Sequence, residues 1–229
     1  MTDRPTVSYW RTVLEVARKD LRIELRSKQV LNTAAVFALL VVIIFAFSFA
    51  RTFANIDVVA SGALWVAFVF AGTFSVSQSV AVEEADAGLD SLLLVPVDRS
   101  AIYVGKVVSN TAFTAAVAVI TLGCIVVFLD FTVLPGTVPL LLLVVALAAF
   151  GFAATGVLIA TMTARARLSD LLLPLLLVPL VIPVLLAGVE LTRAISEGLP
   201  LWRWFRLLLA YDGVLFLIGI ALFEYVVER

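Results

Sequence analysis

Side chains able to act as nucleophiles, metal ligands or proton shuttles are scarce in this chain and far apart. It has no histidine, one cysteine (Cys124), two methionines (Met1 and Met162) and four tyrosines. Without histidine, neither a Ser/His/Asp nor a Cys/His unit can be assembled, and no imidazole is available to a metal. The usual axial donors to haem iron are His, Cys, Met or Tyr, which leaves Cys124 in mid-span, Met162 at a span end and the tyrosines. One cysteine cannot close an internal disulfide. Gly105-Lys106 fails as a phosphate loop, because Val107 follows where Ser or Thr is needed and no glycine lies five residues earlier. No catalytic residue and no metal site are expected. The chain reads as no enzyme, and hard chemistry falls to a partner.

The elements that would position any site are set by composition. Hydrophobic residues make up 63% and charged residues 14%, with 16 basic against 17 acidic side chains. A soluble domain is nearer about half apolar and a quarter charged, so an integral membrane protein is expected, with no nucleic-acid partner. A spanning helix needs roughly 20 apolar residues. Six runs qualify, at 31–50, 58–80, 107–129, 138–161, 171–189 and 207–227. They are continuous rather than alternating, which excludes a membrane barrel. The fold expected is an all-α six-transmembrane-helix bundle forming a single domain over 1–229. The first run reads as a span rather than a cleaved leader.

Orientation follows from the basic residues. With the N-terminus inside, twelve of them (Arg4, Arg11, Arg18, Lys19, Arg22, Arg26, Lys28, Arg99, Lys106, Arg165, Arg167 and Arg229) lie on the cytoplasmic side. Only four (Arg51, Arg193, Arg203 and Arg206) lie outside. The positive-inside rule then puts both termini in the cytoplasm, in a plasma (inner) membrane location. Asp57, Asp130, Glu190 and Asp212 fall at the ends of the runs, so no relay of intramembrane carboxylates is expected.

Residues 7–28 read as an interfacial amphipathic helix. Trp10, Val13, Leu14, Ala17, Leu21 and Leu25 follow one face, and Arg11, Glu15, Arg18, Arg22 and Arg26 another, with lipid as the partner of the apolar face. Glu15–Lys19 and Glu24–Lys28 add favourable i,i+4 pairs. Residues 83–98 form the longest cytoplasmic connection. Glu83, Glu84 and Asp86 are placed to favour the positive end of a short helix, and Leu89, Leu92 and Leu93 give that helix an apolar stripe. Pro96 ends it, and Asp98 caps the next helix. Either a soluble partner grips this helix or it turns back on its own bundle.

Thr73, Ser75, Ser77, Gln78 and Ser79 in the second span read as interhelical glue or as the lining of a passage. Ala149, Ala153, Gly156 and Ala160 form a small-residue stripe for close packing. Pro174, Pro179 and Pro183 predict a bent fifth span. Residues 190–206 read as an external interfacial segment. Trp202, Trp204 and Phe205 anchor it, while Arg193, Arg203 and Arg206 offer charge to an external anionic ligand or partner.

This order of parts resembles the membrane subunit of ABC-2 (type-2 ABC) exporters. Glu84-x-x-x-Gly88, Leu92-Leu93, Pro96 and Gly105-Lys106 look like that family's signature around its coupling helix. The opening ARKDLRIELRSKQVLNTAAVFALL, the same loop and the leucine–proline run Leu171–Leu186 are similar to the haem exporter protein B (CcmB) family of cytochrome c maturation. The resemblance implies that Glu83, Glu84, Asp86, Gly88, Leu89, Leu92, Leu93 and Pro96 contact an ABC ATP-binding subunit (CcmA-like). It also implies a haem-handling membrane subunit (CcmC-like), a small membrane subunit (CcmD-like) and a haem chaperone (CcmE-like). Haem and ATP are then handled by partners, and ATP hydrolysis drives haem export or release of the loaded chaperone. Two other readings stay open: a generic ABC-2 export permease for a lipid, drug or polysaccharide, and a membrane assembly scaffold. Pairing with a second copy is compatible with either permease reading.

Overall fold

The computed structural model describes residues 8–27, 29–49, 56–86, 98–129, 131, 136–163 and 169–227. Among these, seven helices follow in order: α1 Tyr9–Ser27, α2 Gln29–Phe49, α3 Ile56–Asp86, α4 Arg99–Leu129, α5 Val138–Thr163, α6 Ser169–Glu197 and α7 Trp202–Val227. Six of them, α2 to α7, are long and apolar enough to cross a membrane. A helix satisfies its own backbone hydrogen bonds, which is what lipid demands of a spanning segment. The all-helical expectation therefore holds, and the chain is a multi-pass membrane protein.

The helices overrun the apolar runs that announce them. α3 continues to Asp86 and α4 begins at Arg99, so both project beyond the hydrophobic stretch on the side where α1 lies. No breaker interrupts Gln78–Asp86, and an unbroken ladder is cheaper than a new nucleus. Glu83, Glu84 and Asp86 thus sit in the last turns of α3 and not at the start of a separate short helix. The Asp98 cap is present: its carboxylate accepts from Ser100 N at 2.9 Å and from Ser100 Oγ at 2.7 Å. At the opposite end α6 runs through to Glu197. It closes where Leu199 N–H donates to Ala194 O at 2.9 Å and Gly198 takes φ 68°, a left-handed Schellman ending that favours glycine.

α5 packs against α3, α4, α6 and α7, and α4 against α1, α2, α3, α5 and α7. The α5 stripe of Ala149, Ala153, Gly156 and Ala160 is buried, as expected from the small residues. Gly156 admits Val76 of α3, and a Cβ there would come within 2.5 Å of Val76 Cγ2. Lipid tails are as apolar as leucine, so close van der Waals approach replaces the hydrophobic drive between spans. Several seams also carry a hydrogen bond. Trp65 Nε1 donates to Thr192 Oγ1 (3.1 Å, α3–α6), Ser75 Oγ to Asn110 Oδ1 (2.7 Å, α3–α4) and Tyr103 Oη to Ala154 O (2.9 Å, α4–α5).

α6 stays helical through Pro174, Pro179 and Pro183. Each proline removes a donor from the ladder. Tyr211 Oη of α7 donates to Leu180 O, beside the carbonyl of Pro179 that lacks its partner at Pro183.

Overpacking a close seam should cost about 1–3 kcal/mol. Gly156→Ala is expected to lower the thermal midpoint of the detergent-solubilised protein. Gly123→Ala, where a Cβ meets nothing within 4 Å, should leave the midpoint unchanged or raise it.

Candidate functional site

The polar residues of the described chain gather where α1, α3 and α4 meet. The helix α1 presents three faces rather than two. Thr12, Val13, Val16 and Ala17 are buried, chiefly against α4. Trp10 and Leu14 remain 69% and 67% exposed, next to an exposed face of Arg11, Glu15, Arg18, Lys19 and Arg22. The single apolar stripe expected from the sequence is therefore split: Val13 and Ala17 turn into the bundle while Trp10 and Leu14 do not. Val16 extends the buried face, and Gly105 makes room for it. A Cβ at Gly105 would lie 2.7 Å from Val16 Cβ and 3.0 Å from Val13 O.

Lys106 follows directly, with its side chain 3% exposed and its Nζ 3.7 Å from Asp20 Oδ2. Lys19 Nζ lies 3.4 Å from the other oxygen of Asp20. Ser109 Oγ is 3.5 Å from Asp20 Oδ2 and donates at 2.9 Å to Lys106 O. Asn110 Nδ2 donates to the same carbonyl at 2.9 Å, and its Oδ1 accepts from Ser75 of α3. Glu24, one turn beyond Asp20, hydrogen-bonds Ser75. A continuous polar path thus runs from α1 through α4 into α3. Gly105-Lys106 is explained by it: glycine for approach, lysine for the ion pair.

Burial pushes the Glu24 carboxyl up from 4.5 to about 7, the neighbouring Asp20 charge adds to this, and the Ser75 hydrogen bond opposes it. Sequence reading paired Glu24 with Lys28, which lies outside the described residues. The signal it passed over was spacing: Asp20 and Glu24 continue the Val13, Val16 and Ala17 face at helical intervals, so acids fall on the side that packs. Asn110 and Ser109 sit inside an apolar run, where polar side chains seek partners. Of the second-span polar residues, Ser75 is glue, Thr73 back-bonds to Val69 O at 2.8 Å, and Ser77 is exposed.

Glu83, Glu84 and Asp86 are on α3 at the end that projects past the span. Gly88, Leu89, Leu92, Leu93 and Pro96 lie outside the described residues. The 190–206 segment is divided between two helices: Glu190 and Arg193 belong to α6, while Trp202, Arg203, Trp204 and Arg206 open α7. Arg193 Nε pairs with Glu197 at 3.0 Å and lines a small cleft with Asp57, Ser61 and Thr192. Arg203 lies over the Trp204 ring at 5.3 Å and Arg206 over Trp202 at 5.9 Å. Trp202 itself is 68% exposed. Because residues 202–206 are helical, α7 starts earlier than the apolar run, and Asp212 falls ten residues inside the helix rather than at its end. Among the described residues no group of three His, Cys, Asp or Glu could hold a metal.

Two outcomes test the polar path. Lys106→Met should destabilise the protein by roughly 3 kcal/mol, and Asp20→Asn in the same chain should recover part of the loss in a double-mutant cycle. Glu24 binds its proton more tightly folded than unfolded, so its contribution is full below pH 4.5, falls as pH rises toward about 7 and is gone above it. Glu24→Gln should therefore flatten the melting-temperature profile across that window.

The family model described as CcmB protein matches residues 11–225, which takes in the polar path, the projecting helix ends and the aromatic–arginine turn. The heme exporter protein B of Rhodobacter capsulatus is 29% identical over 184 residues, covering 80% of this chain and 83% of that protein. With nearly its whole length matched, and with the helical membrane architecture described above, the chain belongs to the CcmB protein family.

Proposed function

We propose that this chain is the membrane permease subunit of an ABC-type complex for cytochrome c maturation. In that complex it couples ATP hydrolysis by a separate ATPase subunit to haem export or to release of a haem-loaded chaperone. Family membership supports the assignment, and the name of the relative, heme exporter protein B, supports haem as cargo. The observation that carries the coupling role is the polar path. α3 and α4 flank residues 87–97, and both are tied through Ser75, Asn110 and Lys106 to Asp20 and Glu24 of α1. A load applied between those helix ends reaches α1 and the bundle together.

On this reading α1 lies on the cytoplasmic leaflet, with Trp10 and Leu14 toward acyl chains and the arginines toward headgroups. Both termini are cytoplasmic, and the ATP-binding subunit docks on Glu83, Glu84, Asp86 and the loop that continues to Pro96. The haem-handling subunit, small membrane subunit and chaperone complete the complex. Trp202, Arg203, Trp204 and Arg206, with Arg193 nearby in sequence on α6, are proposed to meet a partner outside. Arginines stacked on indoles fit a flat protein or ligand surface.

The test is a mild-detergent pull-down of tagged protein with mass spectrometry and a haem absorbance scan. An ATP-binding subunit together with a haem-binding membrane subunit is expected. An ATPase without haem would move the assignment to a generic exporter, and no ATPase would leave the scaffold reading. In the same complex, Glu83→Lys with Glu84→Lys should leave insertion intact and remove ATP-dependent function. Unchanged function in that variant would overturn the coupling role.

A further inference from the structure

One acid in the bundle has no part in the proposed coupling. Asp212 is 2% exposed. It stands ten residues, about 15 Å, into α7 from Trp202. Its carboxyl rests on Gly151, which is 13 residues from Val138 and 12 from Thr163 at the two ends of α5. The contact with Gly151 thus places it near the middle of α5. Gly151 is what admits it, because a Cβ there would overlap Asp212 Oδ1. Neither carboxyl oxygen has a hydrogen-bond partner among the described residues.

Among the described residues, the surrounding elements supply no counter-charge to it. α5 contains no Asp, Glu, Lys or Arg, and the Thr155 hydroxyl is committed to Gly151 O at 2.8 Å. On α6 the charged residues are at the two ends: Asp170 at one, and Glu190, Arg193 and Glu197 at the other, with Arg193 paired to Glu197. The adjacent Tyr211 hydroxyl donates to Leu180 O. On α4, Arg99 and Lys106 belong to the α1 side, Lys106 pairs with Asp20, and Tyr103 donates to Ala154 O beside Gly219. An unpaired charge at such depth is costly, and ionisable residues inside spans mark proton or ion pathways. An amide of the same shape would fill the space equally well. What the acid adds is a proton that it can give up.

We propose that Asp212 is a proton-binding site inside the membrane, loaded while the α5–α7 seam is closed on Gly151 and exchanged with water when the seam parts. On opening, the acid O–H bond breaks, the proton passes to an entering water as hydronium, and the carboxylate is left hydrated. Closing reverses the step. The site stands apart from the haem and ATPase reading, and any motion that separates α5 from α7 would be tied to the proton.

Infrared spectroscopy of the full-length chain in lipid nanodiscs at neutral pH tests this. The expected result is a carbonyl band of an un-ionised carboxyl that moves when only aspartate carries a 13C side-chain carboxyl, which sets it apart from Glu24. The band should vanish in Asp212→Asn, persist in Glu24→Gln, and shift on transfer to deuterium oxide. Absence of an un-ionised aspartate band would overturn the proposal. So would a band that stays unshifted after α1 amides have fully exchanged, since the acid would then be sealed. The labelled wild-type measurement decides both points even if the asparagine variant does not fold.

Discussion

The packing of four of the spans, α3, α4, α6 and α7, depends on how closely each can approach α5. In lipid there is little hydrophobic gain in bringing one apolar helix to another, so attraction rests on contact. α5 has no charged residue and a run of alanines and glycines, which lets α3, α4, α6 and α7 share it as a common wall. Phe152 fills the space over Gly72, and Val76 that over Gly156. Large side chains project from one helix into the notch that glycine leaves in another. Such seams are either closed or open, with little middle ground, because dispersion falls off within an ångström.

The second constraint is polar. Hydroxyls on the spans mostly turn back to their own helix, as Thr111, Thr121, Thr155 and Thr163 do at 2.7–2.9 Å. Those that bridge spans are few and isolated, as at Trp65–Thr192, Ser75–Asn110 and Tyr103–Ala154, except where α1 docks. There Lys106, Asp20, Glu24, Ser109, Asn110 and Ser75 are crowded together. Charged groups survive because that end of the bundle borders the projecting helix ends, and each has a partner. Asp212 has neither advantage, which is why it stands apart from every other acid in the described chain.

The spans were legible because a run of about twenty apolar residues has few other uses. The small-residue stripe and the Asp98 cap could be read for similar reasons: each rests on local sequence. Helix ends were less legible. The polar tail of α3 and the Trp–Arg start of α7 carry charge, and hydropathy cannot distinguish a charged helix end from a loop. Asp212 was misplaced for that reason alone, since its depth is counted from a helix start that hydropathy sets five residues late. The three faces of α1 were illegible for a different reason. Whether an apolar residue meets lipid or protein depends on a glycine in another helix, Gly105, and periodicity within one segment contains no such information.

The distribution of contact types also bears on where this bundle can yield. The α1 end is held by ion pairs and hydrogen bonds, which can be exchanged for water at modest net cost because the lost partner is replaced. The interior is held by glycine notches, where separating the helices gains nothing in return. A force entering between the ends of α3 and α4 therefore meets its most adaptable contacts first, at Asp20, Lys106 and Asn110. It reaches α5 through Tyr103 and through the Phe152–Gly72 and Val76–Gly156 notches, among other contacts. In the coupling role proposed above, no large displacement in the spans is needed. That role needs the polar joint to stay rigid when loaded and to release cleanly, and a buried lysine between two helices is suited to both.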